Sequence, residues 1–178
     1  DEAQVLRLFE TVDAKLGRLN GLVNNAGVVD VTARLDEMSV ARWRRMFDIN
    51  VIGSLLCARE AVRRMSTRHG GAGGAIVNLG SAAARLGSPG LYIDYAMSKG
   101  AIDTFTHGLA LEVAAEGIRV NAVRPGMIDT DIHATSGDRN RPHAAAQLIP
   151  MQRPGTADEI AAAVVWLLSA DASYTTGA

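Results

Sequence analysis

Tyr95 and Lys99 stand four residues apart at the end of the stretch S-A-A-A-R-L-G-S-P-G-L-Y-I-D-Y-A-M-S-K, which begins with Ser81. On an α-helix, positions i and i+4 lie one above the other on a single face. An ammonium there sits beside a phenol, favours its ionised form and lowers a pKa that is normally near ~10. A phenol tuned toward neutrality is suited to general acid or base catalysis. Tyr92 is close by, but the residue four after it is Ala96, so it lacks the helical cation.

Such a constellation needs a folded frame. The chain has 178 residues, 48% hydrophobic and 21% charged, which fits a single globular domain over 1–178. A net charge of -1 with interleaved signs gives no reason to expect nucleic acid or an acidic membrane surface as partner. One cysteine, Cys57, excludes an internal disulfide and suits a reducing cytoplasm. No apolar run approaches the ~18–20 residues that span a bilayer, and no signal peptide is visible. The start, D-E-A-Q-V-L-R-L-F-E, has no Met and looks like the first turn of a helix, while T-T-G-A follows a turn. The expectation is a piece of a longer chain, with sequence missing on both sides.

Val5, Leu8, Phe9, Val12 and Leu16 fall at helical spacing, and Gly17 is a stop signal. A short buried strand is expected at about 21–25, ending in the Asn- and Gly-rich turn N-N-A-G. Ser39 caps one long helix reaching roughly Ser66, with Asn50 in its middle, where an amide competes for backbone hydrogen bonds. H-G-G-A-G-G is a flexible connector before a second strand, A-I-V-N-L; a helix from 95 to about 115 and a third strand at 118–123 follow. A polar loop runs to about Pro150. Thr156 and Glu159 form a capping box for a last helix. Apolar strands separated by long helices indicate parallel βαβ units.

Doubly wound sheets bind ligands at the carboxyl ends of their strands. Three polar groups fall at such ends: Asn24–Gly27, Gly80–Ser81 and Pro125–Thr130. With them, the sequence resembles the short-chain dehydrogenase/reductase family over essentially its whole length. N-N-A-G at Asn24–Gly27 is similar to the motif that supports the central sheet and lines the adenosine side of the cofactor. N-V-I-G at Asn50–Gly53 matches the active-site Asn motif. Ser81, Tyr95 and Lys99 fit the family's Ser and Y-x-x-x-K, and P-G-M-I-D-T resembles the P-G-x-x-x-T segment that holds the nicotinamide carboxamide. The run around Ser81–Lys99 is especially similar to sugar (glucose) dehydrogenases and 3-oxoacyl-carrier-protein reductases.

The resemblance implies an α/β Rossmann-like, doubly wound parallel sheet binding NAD or NADP, and a small alcohol or carbonyl substrate. It implies catalytic roles for Asn50, Ser81, Tyr95 and Lys99. Tyr95 would exchange a proton with the substrate oxygen, Ser81 would hydrogen-bond that oxygen, and Lys99 would lower the Tyr95 pKa and bind the nicotinamide ribose. Asn50 would hold a water linking Lys99 to solvent. Cofactor contacts would come from Asn25, Ala26, Gly27, Tyr95, Lys99, Pro125, Gly126, Ile128 and Thr130. The family commonly forms tetramers through its two long helices, so a homo-oligomer (tetramer or dimer) is expected.

One departure matters: the family's glycine-rich phosphate loop, T-G-x-x-x-G-x-G, has no counterpart here. H-G-G-A-G-G precedes a strand and opens no helix, so it is no substitute. The first strands, the final strand and the residue choosing NAD or NADP are expected outside this sequence. Asp129, Asp131 and His133 alternate as metal ligands do, but no supporting Cys or H-E-x-x-H accompanies them, and no metal is expected. Arg139, Arg141 and His143 fall in the expected substrate loop. Two rivals stand beside a dehydrogenase: an extended relative such as a nucleotide-sugar epimerase, which N-N-A-G disfavours, and a non-catalytic scaffold that keeps the fold.

Overall fold

The computed structural model describes residues 1–178. Eight α-helices and three strands alternate: α1 (Glu2–Leu16), β1 (Gly21–Asn24), α2 (Val40–Phe47), α3 (Gly53–Met65), β2 (Gly74–Leu79), α4 (Ala83–Leu86), α5 (Ile93–Val113), β3 (Ile118–Val123), α6 (Ile132–Thr135), α7 (Arg141–Ala144) and α8 (Ala157–Leu168). The strands form one parallel sheet in the order β1-β2-β3. Asn24 pairs with Asn78 and Leu79 with Val123, so all three strands finish level to within one residue. That levelness sets the turns after each strand side by side.

β2 and β3 are apolar at most successive positions because both of their faces are covered, whereas Val23 of β1 is exposed. On one face Ile76, Ile118 and Val120 pack with Phe9 of α1, Ala58 and Ala61 of α3 and Val113 of α5. Ala58 and Ala61 bring the α3 backbone close to the sheet, and neither exposes more than 1% of its surface. On the other face Val77 meets Val164 and Leu167 of α8. This is the Rossmann-like α/β arrangement expected from the sequence. The capping box of α8 is formed: Glu159 N–H donates to Thr156 Oγ1 and Thr156 N–H to a Glu159 carboxylate oxygen. At the other end of α8, Arg119 on β3 donates to the carbonyls of Leu167 at 2.7 Å and Ser169 at 3.0 Å, satisfying groups the helix leaves free.

Two sequence expectations are refined. The long helix from Ser39 is two helices joined by a π-helical turn, Asp48–Ile52, with Asn50 in it. The H-G-G-A-G-G connector is not loose. N–H groups of Gly71, Gly73 and Gly74 donate to Ser66, Met65 and Gly117 carbonyls at 2.7–3.0 Å. A Cβ on Gly71 would approach the Met65 carbonyl oxygen to 2.2 Å, and one on Gly73 (φ 81°) the Gly117 oxygen to 2.4 Å. Glycine is required there by close backbone approach rather than by flexibility.

Candidate active site

The catalytic candidates gather at the level carboxyl ends of the strands. Lys99, in the second turn of α5, is only 5% exposed, and its Nζ donates to the Leu79 carbonyl, the last of β2, at 2.7 Å. Burial pulls its pKa down to about 8, against the charge of Asp103 one turn further along, which raises it. From the end of β1, Gly27 presses in. A Cβ there would stand 3.4 Å from both Lys99 Nζ and Asn50 Oδ1.

Asn50 is 1% exposed. Its Oδ1 accepts the Val28 N–H at 2.8 Å, and its Nδ2 donates to the Val28 carbonyl at 2.9 Å and to Ser98 Oγ at 3.0 Å. The amide therefore closes a ring on the backbone of Val28 and fixes the segment that follows N-N-A-G. The π turn permits this, because its extra residue aims Asn50 inward where a regular helix would set its own register. Ser98 donates in turn to the Tyr95 carbonyl at 2.7 Å, tying Asn50 to the Tyr95 turn of α5. Through these bonds the Asn50 side chain ties the turn after β1 to α5.

Tyr95 is half-buried, with the Lys99 Nζ 5.7 Å from its ring centroid. Burial pushes the phenol pKa up, while the Ser81 hydroxyl beside it pulls it down. The expected lowering by Lys99 is not what this arrangement delivers. The ammonium is held by the Leu79 carbonyl, its own protonation is weakened by burial, and desolvation of the phenolate outweighs the rest. Ser81 Oγ accepts the Ala83 N–H at 3.1 Å and lies beside the phenol.

The third strand end joins through backbone. Gly80 N–H donates to the Val123 carbonyl at 2.8 Å and Ala82 N–H to the Pro125 carbonyl at 2.9 Å, so Ser81 and P-G are neighbours. A side chain at Gly80 would meet Arg124 Cγ and Asp103 Oδ1 at 3.1 Å. Those two residues form an ion pair at 2.9 Å under the site, close in charge but outside hydrogen-bond alignment. Ile128 forms an isolated parallel bridge to Gly155, which steadies the segment Pro125–Thr130. Gly126 faces open space and Thr130 is half-buried; Asn25 and Ala26 are exposed on the turn after β1.

The alternating Asp129, Asp131 and His133 do not converge. Asp129 pairs with His143 and Asp131 with Arg139, each at 3.0 Å, while His133 Nε2 lies 2.9 Å from the Ile128 carbonyl. One ion pair escaped sequence reasoning. Arg42 of α2 forms a buried, two-pronged pair with Asp94 (2.7 and 3.1 Å) and donates to the Val31 carbonyl at 2.7 Å. Asp94 Oδ1 also accepts the Tyr95 N–H at 3.0 Å, so this pair sets the first turn of α5. The only sequence signal was an acid in that first turn; 52 residues separate it from its arginine. Arg141, which the sequence places in the expected substrate loop, has its guanidinium carbon 4.9 Å from the centroid of the Tyr92 ring.

A family model described as enoyl-(acyl carrier protein) reductase matches residues 1–178. The chain belongs to the short-chain dehydrogenase/reductase family. Relatives in this family of oxidoreductases include the uncharacterized oxidoreductase YgfF of Escherichia coli, 54% identical over 177 residues that cover 99% of this chain and 72% of that protein. Glucose 1-dehydrogenase 2 of Bacillus subtilis is 37% identical over 99% of this chain and 67% of its own. Among solved short-chain dehydrogenase/reductase structures, a gluconate 5-dehydrogenase from Burkholderia cenocepacia in complex with NADP and tartrate superposes with a TM-score of 0.88 at 30% identity, covering 99% of this chain and 68% of that one. ElxO with NADP bound gives 0.87 at 33%, over 99% and 71%. The chain spans about two thirds to 72% of the length of these two curated relatives.

Proposed function

We propose that the protein is an NAD(P)-dependent oxidoreductase that interconverts an alcohol and a ketone, with Tyr95 as general acid and base. The observation that carries this reading is the convergence of a half-buried phenol, a serine hydroxyl beside it and a buried ammonium at three level strand ends.

The residues fit a nicotinamide ribose. Lys99 spends one of its three donors on Leu79, and Gly27 leaves free the space beside Nζ that a Cβ would fill. When bound, the nicotinamide supplies or accepts the hydride. Tyr95 passes its phenolic proton to the carbonyl oxygen in reduction and receives it back in oxidation. Burial keeps that proton on the phenol at neutral pH, the form a carbonyl reduction needs. Ser81 Oγ donates to the same oxygen and stabilises the charge that develops there. Lys99 orients the ribose, and Asn50, through Val28 and Ser98, holds the turns that carry these groups. Asn25, Ala26, Gly27, Pro125, Gly126, Ile128 and Thr130 line the cofactor. NADP-bound structural relatives support this assignment.

Quenching of NADH or NADPH fluorescence, followed by turnover on a carbonyl panel, tests it. Failure of the full-length protein to bind either dinucleotide would instead support the non-catalytic scaffold.

The protein also self-associates on this reading, through a face of α5. Met97 and Leu111 are 56% and 71% exposed, and a Cβ on Gly100 or Gly108, on the same helix side, would touch nothing. Light scattering of the full-length protein is expected to give a dimer or tetramer; a monomer at micromolar concentration would reject this. One half-buried cysteine, its thiol pKa raised by burial, suits the cytoplasm, which cell fractionation would check.

A further inference from the structure

Beside the proposed catalytic centre, Val31, Thr32, Leu91, Ser136, Asp138 and Arg141 line an open cavity of about 420 Å³. Its walls are the segment after β1, the residue before Tyr92, and the loop between α6 and α7. Arg141 differs from the cations around it. Arg139 and His143 each have a carboxylate at 3.0 Å, Asp131 and Asp129. The Arg141 guanidinium has neither an ion pair nor a side-chain hydrogen bond. It is half-buried, stacked over Tyr92, and burial lowers its pKa without any anion to compensate. Tyr92 in turn meets Tyr95 edge to face, with ring centroids 6.0 Å apart. An unpaired, partly desolvated guanidinium therefore stands one aromatic ring away from the phenol that would move the proton.

The other polar groups of the cavity make the assignment sharper. Ser136 Oγ is committed to the His133 carbonyl at 2.8 Å, and Asp138 Oδ1 accepts the Asn140 N–H at 3.1 Å. The Thr32 hydroxyl has no partner within the chain, which leaves it and Arg141 as the uncommitted donors. A guanidinium presents a planar fork that matches a carboxylate with two parallel hydrogen bonds, and such charge-assisted bonds are strong where water is partly excluded.

Resting on the oxidoreductase reading above, we propose that the substrate is a hydroxy or oxo acid whose carboxylate is held by Arg141, with Thr32 as second donor, several bonds from the carbon that exchanges hydride. Arg141 is a specificity-determining residue: it binds the far end of the substrate and takes no part in proton transfer. Stacking on Tyr92 holds the guanidinium in place before the substrate arrives, so less freedom is lost on binding.

Steady-state reduction of 4-oxopentanoate, 5-oxohexanoate and 6-oxoheptanoate, each against its methyl ester, tests this on the full-length protein. The ester keeps the shape and removes the charge. At least one acid is expected to exceed its ester in kcat/KM by roughly 10- to 100-fold, the worth of a hydrogen bond to a charged group. Arg141→Ala should erase that ratio through the KM of the acid, and Arg141→Lys should restore part of it. A purely structural role for Arg141 would lower acid and ester together and leave their ratio unchanged, which would overturn the proposal. So would equal rates for acid and ester in the unmodified protein, although the oxidoreductase reading would survive that result. If none of the six compounds turns over, calorimetric titration with 5-oxohexanoate decides: heat that Arg141→Ala abolishes supports the anion site, and no Arg141-dependent heat refutes it.

Discussion

Tyr95→Phe is expected to lower kcat by about 10³-fold or more while leaving the fold and dinucleotide binding intact. Positioned general acid–base catalysis is worth roughly 10²–10⁴-fold, and no neighbour can take over the proton. Ser81 is a far weaker acid than a phenol, and Lys99 is turned to the Leu79 carbonyl. The substitution removes one oxygen from a half-buried ring, so the edge-to-face contact with Tyr92 persists and thermal stability should change little. Because the ring keeps its place, cofactor fluorescence titration should give an unchanged Kd. Residual kcat above about a tenth of the unmodified value would refute the role given to Tyr95.

Lys99→Met is expected to abolish turnover and to change how stability depends on pH. The pKa of Lys99 is depressed from 10.5 when exposed to about 8 in the folded chain. Between those values the unfolded chain binds the proton and the folded one does not, so stability of the unliganded protein rises with pH across that window. Below about 8 both states are charged and the full cost of burying the ammonium is present. The difference corresponds to on the order of 3 kcal/mol at ~1.4 kcal/mol per pKa unit. Cys57, whose thiol burial also raises, works against it from about 9, and Tyr95 from about 10, so the interval to read is about pH 8–9. Urea denaturation across that interval should show rising stability for the unmodified protein and a flatter profile for Lys99→Met. Equal slopes for the two would show that burial does not depress this amine.

Much of this was legible in the residues. The parallel sheet followed from apolar strands between long helices, while the proposed site rests on the spacing of Tyr95 and Lys99 and on the family resemblance for Ser81 and Asn50. What remained hidden was long-range or conformational. Apolar periodicity does not distinguish an i→i+4 from an i→i+5 hydrogen bond, so the π turn at Asp48–Ile52 was invisible even though its asparagine was conspicuous. Arg42 finds Asp94 across 52 positions, and one arginine among several on a polar helix gives no sign of that choice. Tyr92 was set aside for want of a cation four residues on; its cation arrives from Arg141, at the start of α7. The glycine-rich joint looked loose because composition records the absence of side chains and not the backbone that fills their place.

The π turn also separates the duties of the helical segment around it. Each residue of an α-helix advances the chain by about 100°. The extra residue therefore puts α2 and α3 out of phase, so that Arg42 meets α5 while Ala58 and Ala61 meet the sheet. Loss of a single residue between 48 and 52 would turn the π turn into regular α-helix and rotate one half against the other. Either the Arg42–Asp94 clasp or the alanine seam would then face the wrong way. Reading frame along this helix, more than the identity of its exposed side chains, is what the fold can least afford to have altered.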